Sequence, residues 1–444
     1  MQDAEQHDLV GIGTGPTNLS LAALAEPVPN LSARFLDAGP EFRWHPGMMV
    51  PDAELQVSYL KDLVTTVDPT SRFSFLNYLA ENGRLFRSMI ANRDRCTRQE
   101  FEQYYRWVAR QLPSLRWNRP VEEVRLRDDR LEAVSGRHRY STGSLVLGTG
   151  RVPVLPGFAE PFRGAQVLHS ADLLHVDPQV RGKDVLVIGG GQSGAEVVHH
   201  FLGPDTALPA RLTWISSRSG FQPLDDSPFT NEWFAPDYVD HFYRLGADRR
   251  QELLRRQRLA SDGITESLLE AIYRRLYQLD FLTGGPATVR HRLLTGRRAV
   301  GLERDGDRLV AAVHDQDLDR REAHPADVVV FCTGYRSALP ACLDPLAGRL
   351  LNARGEYEVN RDYSLAWDGP AGVRIHVQNM SETTHGVADP NLSLAAWRSA
   401  QILNAVTGRK VYRVDHETST TDWGGGSPHA VATPAEQPST PRRS

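Results

Sequence analysis

Apolar residues gather in two runs of strand length, each closed by glycines and followed by small residues at helical spacing. The first runs Asp8-Leu-Val-Gly-Ile-Gly-Thr-Gly-Pro-Thr-Asn-Leu-Ser-Leu-Ala-Ala-Leu-Ala25 and returns through Ala33-Arg-Phe-Leu-Asp37. The second runs Asp184-Val-Leu-Val-Ile-Gly-Gly-Gly-Gln-Ser-Gly-Ala-Glu-Val-Val198 and returns through Leu212-Thr-Trp-Ile-Ser-Ser-Arg218. Strand, glycine turn, helix and returning strand make a βαβ unit, whose crossover dictates parallel strands. Two shorter apolar strands, Ser144 to Gly150 and Asp327 to Tyr335, end in similar turns, one before the second unit and one well after it. That order predicts an insertion: the first domain covers 1–165 and resumes at 328–415, the second covers 166–327, and the crossings fall near 151–165 and 325–335.

Gln251 to Leu279 carries apolar residues at helical spacing, broken by Ser261-Asp262-Gly263, which reads as a stop and a fresh N-cap. It falls in a small helical segment expected over about 222–282. Val289 to Val313 alternates as strands do, with Gly296 and Gly306 as turns. From Glu417 onward Ser, Thr, Pro and Gly dominate without apolar period, and 416–444 is expected to be a disordered tail.

The chain has 444 residues, a formal net charge of −4 and 40% hydrophobic residues, enough for two or three cores. Near-balanced charge argues against nucleic acid, since binding many phosphates needs a surplus of Lys and Arg on one face. Cys96, Cys332 and Cys342 are too scattered for a disulfide framework or a metal site. Met1 to Asp8 is polar, unlike a signal peptide, and no apolar run approaches the ~18 residues of a membrane span. A soluble cytoplasmic enzyme is expected, with no membrane partner.

Gly11, Gly13 and Gly15, followed by Pro16, sit at a strand-to-helix corner where backbone amides can approach a pyrophosphate. Pro16 departs from the usual GxGxxG fingerprint. Asp37, ending the next strand, offers a carboxylate to ribose hydroxyls, although an acid there is also an ordinary turn residue. Gly189, Gly191 and Gly194, with Gln192 and Ser193 between them, match the fingerprint fully. The strand after them ends at Arg218 with no acid, and a guanidinium there suits a 2′-phosphate, favouring NADPH over NADH. The fold class is therefore α/β with two Rossmann-like dinucleotide-binding domains.

More specific stretches follow: Trp44-His-Pro-Gly-Met48, Leu55-Gln-Val-Ser-Tyr-Leu-Lys-Asp-Leu63, Phe73 to Tyr78, Leu224-Asp-Asp-Ser-Pro-Phe-Thr-Asn-Glu-Trp-Phe234, Ser261 to Ile264, Cys332-Thr-Gly-Tyr-Arg-Ser337, Thr384-His-Gly386 and Leu392-Ser-Leu394. With these, the sequence over residues 7 to 415 resembles the N-hydroxylating flavin monooxygenases of siderophore synthesis, most closely their lysine N6-hydroxylase branch. The resemblance implies FAD in the first domain at Gly11, Gly13, Gly15, Pro16 and Asp37, with Trp44, His45 and Gln56 on the flavin side and the Leu392 to Leu394 backbone near the flavin ring. It implies NADPH in the inserted domain at Gly189, Gly191, Gln192, Ser193, Gly194 and Arg218, with Arg98 reaching it from the FAD domain. Lys61, Asn231 and Ser393, with Gln56, are implied to hold the substrate at the reacting centre. Ser261-Asp-Gly-Ile264 replaces an Asn-containing segment of the ornithine branch, and Asn231 stands where some lysine enzymes carry Asp. Family members commonly form tetramers, so a homo-oligomer is expected, with a small-molecule amine as partner and no metal.

The reaction so implied reduces FAD with NADPH, forms a C4a-hydroperoxyflavin with O2, and transfers oxygen to the terminal amine of L-lysine. The amine must be neutral, although a free lysine side chain has a pKa near ~10.4. Desolvation in an apolar pocket can supply the ~4 kcal/mol needed, so no side-chain base is required. His45 and His385, in turns with Pro or Gly, are read as anchors of backbone rather than bases. A diamine substrate, cadaverine or putrescine, is the alternative, with L-ornithine behind it. Lys61 disfavours a dication by repulsion, whereas it can pair with an α-carboxylate. By default, however, a lysine beside Asp62 is half of a solvated ion pair. A disulfide-type reductase lacks its CxxC.

Overall fold

The computed structural model describes residues 4–91, 95–203, 207–282, 289–414 and 419–424. Leu9, Val10 and Ile12 are buried on the strand Glu5–Ile12, which lies parallel to Ala33–Leu36 on one side and to His138–Leu147 on the other. Leu115–Arg116 and Arg374–Val377 extend this parallel sheet, and Arg130–Ser135 and Glu123–Arg127 continue it antiparallel. The helix Pro16–Ala25 leaves the central strand and is buried from Thr17 to Ala25, which explains its run of small and apolar residues. Helix Ala395–Thr407 packs against it, held by Arg398, which is 1% exposed and bonded to Asp389 at 2.6 Å and to Asn379 at 2.7 Å.

A second, wholly parallel sheet has the spatial order Arg290–Leu294, Arg211–Ile215, Asp184–Ile188, Val328–Phe331, Val167–His169. Val328–Phe331 was expected to open the resumed first domain. It instead fills the gap between Asp184–Ile188 and Val167–His169, so 328 is not where the chain returns. The return follows Phe331: Tyr335–Arg336 pairs antiparallel with Val152–Pro153, and Val154 donates its amide to Gly334 at 3.0 Å. Both crossings thus run side by side. Gly296 and Gly306 take left-handed φ of 65° and 58° at the expected turns, and Arg297–Asp305, Arg308–Asp315 and Arg320–Ala326 form a separate antiparallel sheet.

The helical segment contains Pro236–Arg244, Ala247–Arg256, the short Leu259–Asp262 and Glu266–Phe281. Of the stop expected at Ser261 to Gly263 only Gly263 breaks the helix, Ser261 and Asp262 being helical; an earlier break falls at Gln257 and Arg258, and the fresh N-cap is Thr265. Most of the expected disordered tail lies outside the described residues. Ser419 to Gly424 do not behave as a solvated tail. Ser419 donates to Asp237, at 2.7 Å from its amide and 2.6 Å from its hydroxyl, and the amides of Thr420 and Thr421 bond Glu232 at 2.7 and 2.9 Å. Two acids at the starts of short helices supply acceptors that a Ser/Thr-rich segment can satisfy.

Candidate active site

The turn after Glu5–Ile12 is shaped by its neighbours. Gly13 has φ +80°, and a Cβ on it would lie 2.6 Å from the carbonyl oxygen of Gly148, so this glycine is required by packing between strand ends. Gly11 would strike the Phe35 ring at 2.3 Å. Gly15 differs: it has φ −60°, and the nearest atom to a Cβ there is 3.7 Å away. It precedes a helix whose N-terminus has no side-chain cap and has Pro16 in its first turn, leaving amides available to an anion. Asp37 braces the turn, accepting from the Thr14 amide and hydroxyl at 2.7 and 2.6 Å and from the Gly39 amide at 2.8 Å. An uncapped helix start with open space before it, beside a carboxylate, fits an FAD pyrophosphate and ribose.

Trp44 is buried, packs edge-on against Tyr105 and donates its amide to Glu102 at 3.1 Å. His45 is exposed and left-handed, with φ 46°.

In the second unit, Cβ atoms on Gly189, Gly190 and Gly194 would lie within 2.2 Å of the Cys332 carbonyl, the Ser216 hydroxyl and the Gly189 carbonyl respectively. These glycines bring helix Gln192–Phe201 close to the sheet. Gly191 is freer: a Cβ on it would lie 3.4 Å from the Asp262 carbonyl oxygen. A cavity of about 680 Å³ opens at this turn, lined by Gly189 to Ser193, Gln56, Arg98, Arg218, Arg258, Asp262, Arg297 and Arg298. Its size, glycine floor and arginine rim fit a dinucleotide phosphate. Arg98 crosses from the first unit to pair with Glu196, and Gln192 joins Glu196 at 3.0 Å while accepting from the Thr265 amide at 2.9 Å. A shallower depression of about 860 Å³ along Asn360 to Arg374 contains none of the expected residues and lies open to solvent.

Next to this cavity, Gln56, Leu224, Asp226, Asn231, Phe234, Ala260, Ser261, Asn391 and Ser393 enclose a pocket of about 20 Å³. That is room for about one water, so a larger occupant must part its walls. Lys61 Nζ donates to Ser393 Oγ at 2.9 Å, and Ser393 Oγ donates to Asn391 Oδ1 at 2.7 Å. The Phe234 ring lies 5.9 Å from Nζ. Burial, and then the charge of Arg95, lower the Lys61 pKa from its ordinary value. Asp62 does not pair with it: its carboxylate is buried and accepts from the amides of Val64, Thr65 and Phe75 at 2.9, 2.7 and 2.6 Å. Among the described residues, Lys61 has no carboxylate partner. Asn231 is exposed at the rim and donates to the Asp226 carbonyl at 2.8 Å.

The sequence pattern of the L-lysine 6-monooxygenase/L-ornithine 5-monooxygenase family matches residues 5–337. The chain belongs to that family. The Escherichia coli L-lysine N6-monooxygenase is 38% identical over 426 residues, 95% of this chain and 99% of that protein. The Shewanella oneidensis putrescine N-hydroxylase is 34% identical over 93% of this chain and 83% of its own. Among solved structures, the FAD-bound cadaverine monooxygenase DfoA of Erwinia amylovora has a TM-score of 0.87 at 34% identity, over 96% of this chain and all of that one. The Kutzneria ornithine N-hydroxylase KtzI, with reduced FAD, NADP+ and L-ornithine, has 0.82 at 31%, over 91% of this chain. This member of the family is accordingly an amine N-hydroxylating monooxygenase that uses FAD and NADPH.

In this monooxygenase Ser393, Asn231 and Gln56 line one pocket, with Lys61 behind Ser393 and bonded to it, and Arg98, Gln192, Ser193 and Arg218 line the adjoining cavity. Leu392–Leu394 forms a 3-10 turn whose Asn391 cap accepts from the Ser393 amide at 2.8 Å. Sequence reasoning missed Asn391, although Asn two residues before Ser is a recognisable turn signal. It also missed Asp226, Phe234 and Arg258, the last in the turn after an Arg-rich helix whose sequence resembles any solvated face. No helix among the described residues is long and apolar enough to cross a membrane.

His385 is fully buried, stacks on Tyr363 at 4.1 Å, bonds the Thr384 hydroxyl at 2.8 Å and reaches the Arg361 carbonyl at 3.4 Å, the last being the backbone anchor expected of it. Burial pushes the pKa of His385 and of the equally buried His376 down to about 4. The folded chain keeps both neutral, whereas the unfolded chain protonates them below ~6.5, so stability falls as pH drops from ~6.5 towards about 4 and then levels. Each contributes on the order of 3 kcal/mol at the acid end. Asp62 and Glu382, whose pKa values burial raises, act in the opposite sense. Thermal unfolding followed from about pH 8 to 4.5 should show Tm declining below ~6.5; a flat or rising Tm there contradicts this account.

Proposed function

We propose that the enzyme hydroxylates the side-chain nitrogen of L-lysine, supplying a hydroxylamine for siderophore or related biosynthesis. The observation that carries this is the half-buried Lys61 ammonium, bonded to Ser393 and without a carboxylate among the described residues. An α-carboxylate gives it a partner and offsets part of the cost of its burial. In this reading Lys61 anchors the far end of the substrate, and Ser393, oriented by Asn391, adds a hydrogen bond. Leu224, Phe234 and Ala260 give apolar walls, which strip water from the amine and favour its neutral form. Bound FAD, reduced by NADPH, supplies the activated oxygen. FAD is read at Gly11, Gly13, Gly15, Pro16 and Asp37, and NADPH at the Gly189 to Gly194 turn and Arg218.

A diamine is the second reading. It is favoured by Asp226, an acid on the pocket wall, although that carboxylate is paired with Arg95 at 2.6 Å. NADPH oxidation and hydroxylamine formation measured with lysine, ornithine, cadaverine and putrescine decide the matter. Lysine should give the highest kcat/KM with tightly coupled turnover. A higher value with cadaverine removes the carboxylate reading.

A further inference from the structure

Two guanidinium groups meet a single carboxylate oxygen at the rim of the large cavity. Arg218 Nη2 lies 3.7 Å and Arg258 Nε 3.0 Å from Asp262 Oδ2. Arg218 Nη1 also donates to the Asp262 carbonyl at 2.9 Å, and Ser261 Oγ donates to the other carboxylate oxygen at 3.1 Å. All four residues line the cavity that holds the second glycine turn. Like charges so close repel, and the positive charge of Arg258 lowers the pKa of Arg218 after burial has done so. An anion between them relieves that repulsion, and Asp262 is the one in place.

Its hold is weak by construction. The side chains of Asp262 and Arg258 are 47% and 64% exposed, whereas that of Arg218 is 15% exposed. Exposed pairs gain little. A phosphate monoester, by contrast, carries close to two charges and three acceptor oxygens, enough to satisfy both guanidinium groups together.

We propose that Arg218 and Arg258 form a two-arginine clamp for the 2′-phosphate of NADPH, and that Asp262 occupies the clamp as a stand-in anion until the nucleotide displaces it. This rests on the reading that the adenosine ribose lies at the end of strand Arg211–Ile215, beside Arg218. On it, Asp262 competes with the phosphate of NADPH but not with NADH, which brings no phosphate to the clamp. Arg258 extends recognition to a helical turn that also walls the amine pocket through Ala260 and Ser261.

The test is equilibrium binding of 2′,5′-ADP and of 5′-AMP, which differ by the 2′-phosphate, to the FAD-loaded enzyme and three variants. Arg258→Gln should weaken 2′,5′-ADP about tenfold and leave 5′-AMP unchanged. Asp262→Asn should tighten 2′,5′-ADP about threefold or more, again without effect on 5′-AMP. Arg218→Gln should erase the discrimination between the two probes. If Arg218→Gln leaves discrimination intact, the placement of the ribose is wrong and the clamp falls with it. If Arg218→Gln erases discrimination but either Arg258→Gln or Asp262→Asn leaves 2′,5′-ADP affinity unchanged, the placement stands and the present inference is overturned. Weaker 2′,5′-ADP binding by Asp262→Asn overturns it too, since a positioning aspartate and not a competitor then occupies the site.

Discussion

Replacing Lys61 with alanine should raise the apparent KM for the amino acid at least about tenfold, while reduction of the flavin by NADPH stays fast. Losing one charge-assisted pair costs ~1.5 to 3 kcal/mol, and among the described residues Lys61 Nζ has Ser393 as its hydrogen-bond partner. The hydride step does not use the substrate carboxylate, so it is spared. A substrate held only by its apolar stem occupies many orientations, so oxygen should pass to hydrogen peroxide instead of to nitrogen. The two losses separate experimentally: stopped-flow reduction reports the first step, and the ratio of hydroxylamine to NADPH consumed reports the second. Unchanged lysine hydroxylation by the variant eliminates the carboxylate anchor.

A valine at Gly13 should prevent a stable, flavin-containing fold, whereas the same change at Gly15 should leave the fold intact and weaken flavin binding. At Gly13 the backbone has φ +80° and a Cβ would lie 2.6 Å from the Gly148 carbonyl. The left-handed conformation costs an L-residue ~1 to 2 kcal/mol, more when β-branched, and the overlap with rigid backbone adds to it. At Gly15 φ is −60° and the nearest atom to a Cβ is 3.7 Å away. The added side chain then projects into the space before the helix, where a pyrophosphate approaches. Tm and flavin content measured on both proteins distinguish the cases. A folded Gly15→Val enzyme with undiminished FAD affinity removes the phosphate from that turn.

Much of the architecture was legible because glycine turns are local. A strand, a tight corner and a small-residue helix announce themselves within twenty-odd positions, and both units are where the sequence places them. Sheet membership is not local. The turn Cys332-Thr-Gly334 imitates Gly148-Thr-Gly150, and an apolar strand buried on both faces reads the same in either sheet. Nothing in Val328–Phe331 itself records its neighbours. The site divides likewise. Lys61 and Ser393 are 332 positions apart, so no spacing argument joins them, and only the resemblance to a family put them in one pocket. Lys61 beside Asp62 looked like an ion pair because adjacency was all the sequence offered; the turn that sends Asp62 to three amides sets the lysine free. Polar capping by Ser419 and Thr421 left no apolar period to detect.

The strands Val152–Pro153 and Tyr335–Arg336 pair antiparallel, so the polypeptide leaves and re-enters its host at neighbouring points. A host interrupted there needs no rerouting, since a short turn across the two strand ends would rejoin it. Such a junction makes everything it encloses one piece, in which the second glycine turn and the Leu224, Asn231, Phe234 and Ala260 walls of the small pocket travel together. Any change that reshapes the cavity beside Arg218 is then made in the same stretch of chain that shapes the small pocket, while Gln56, Asn391 and Ser393 stay with the host.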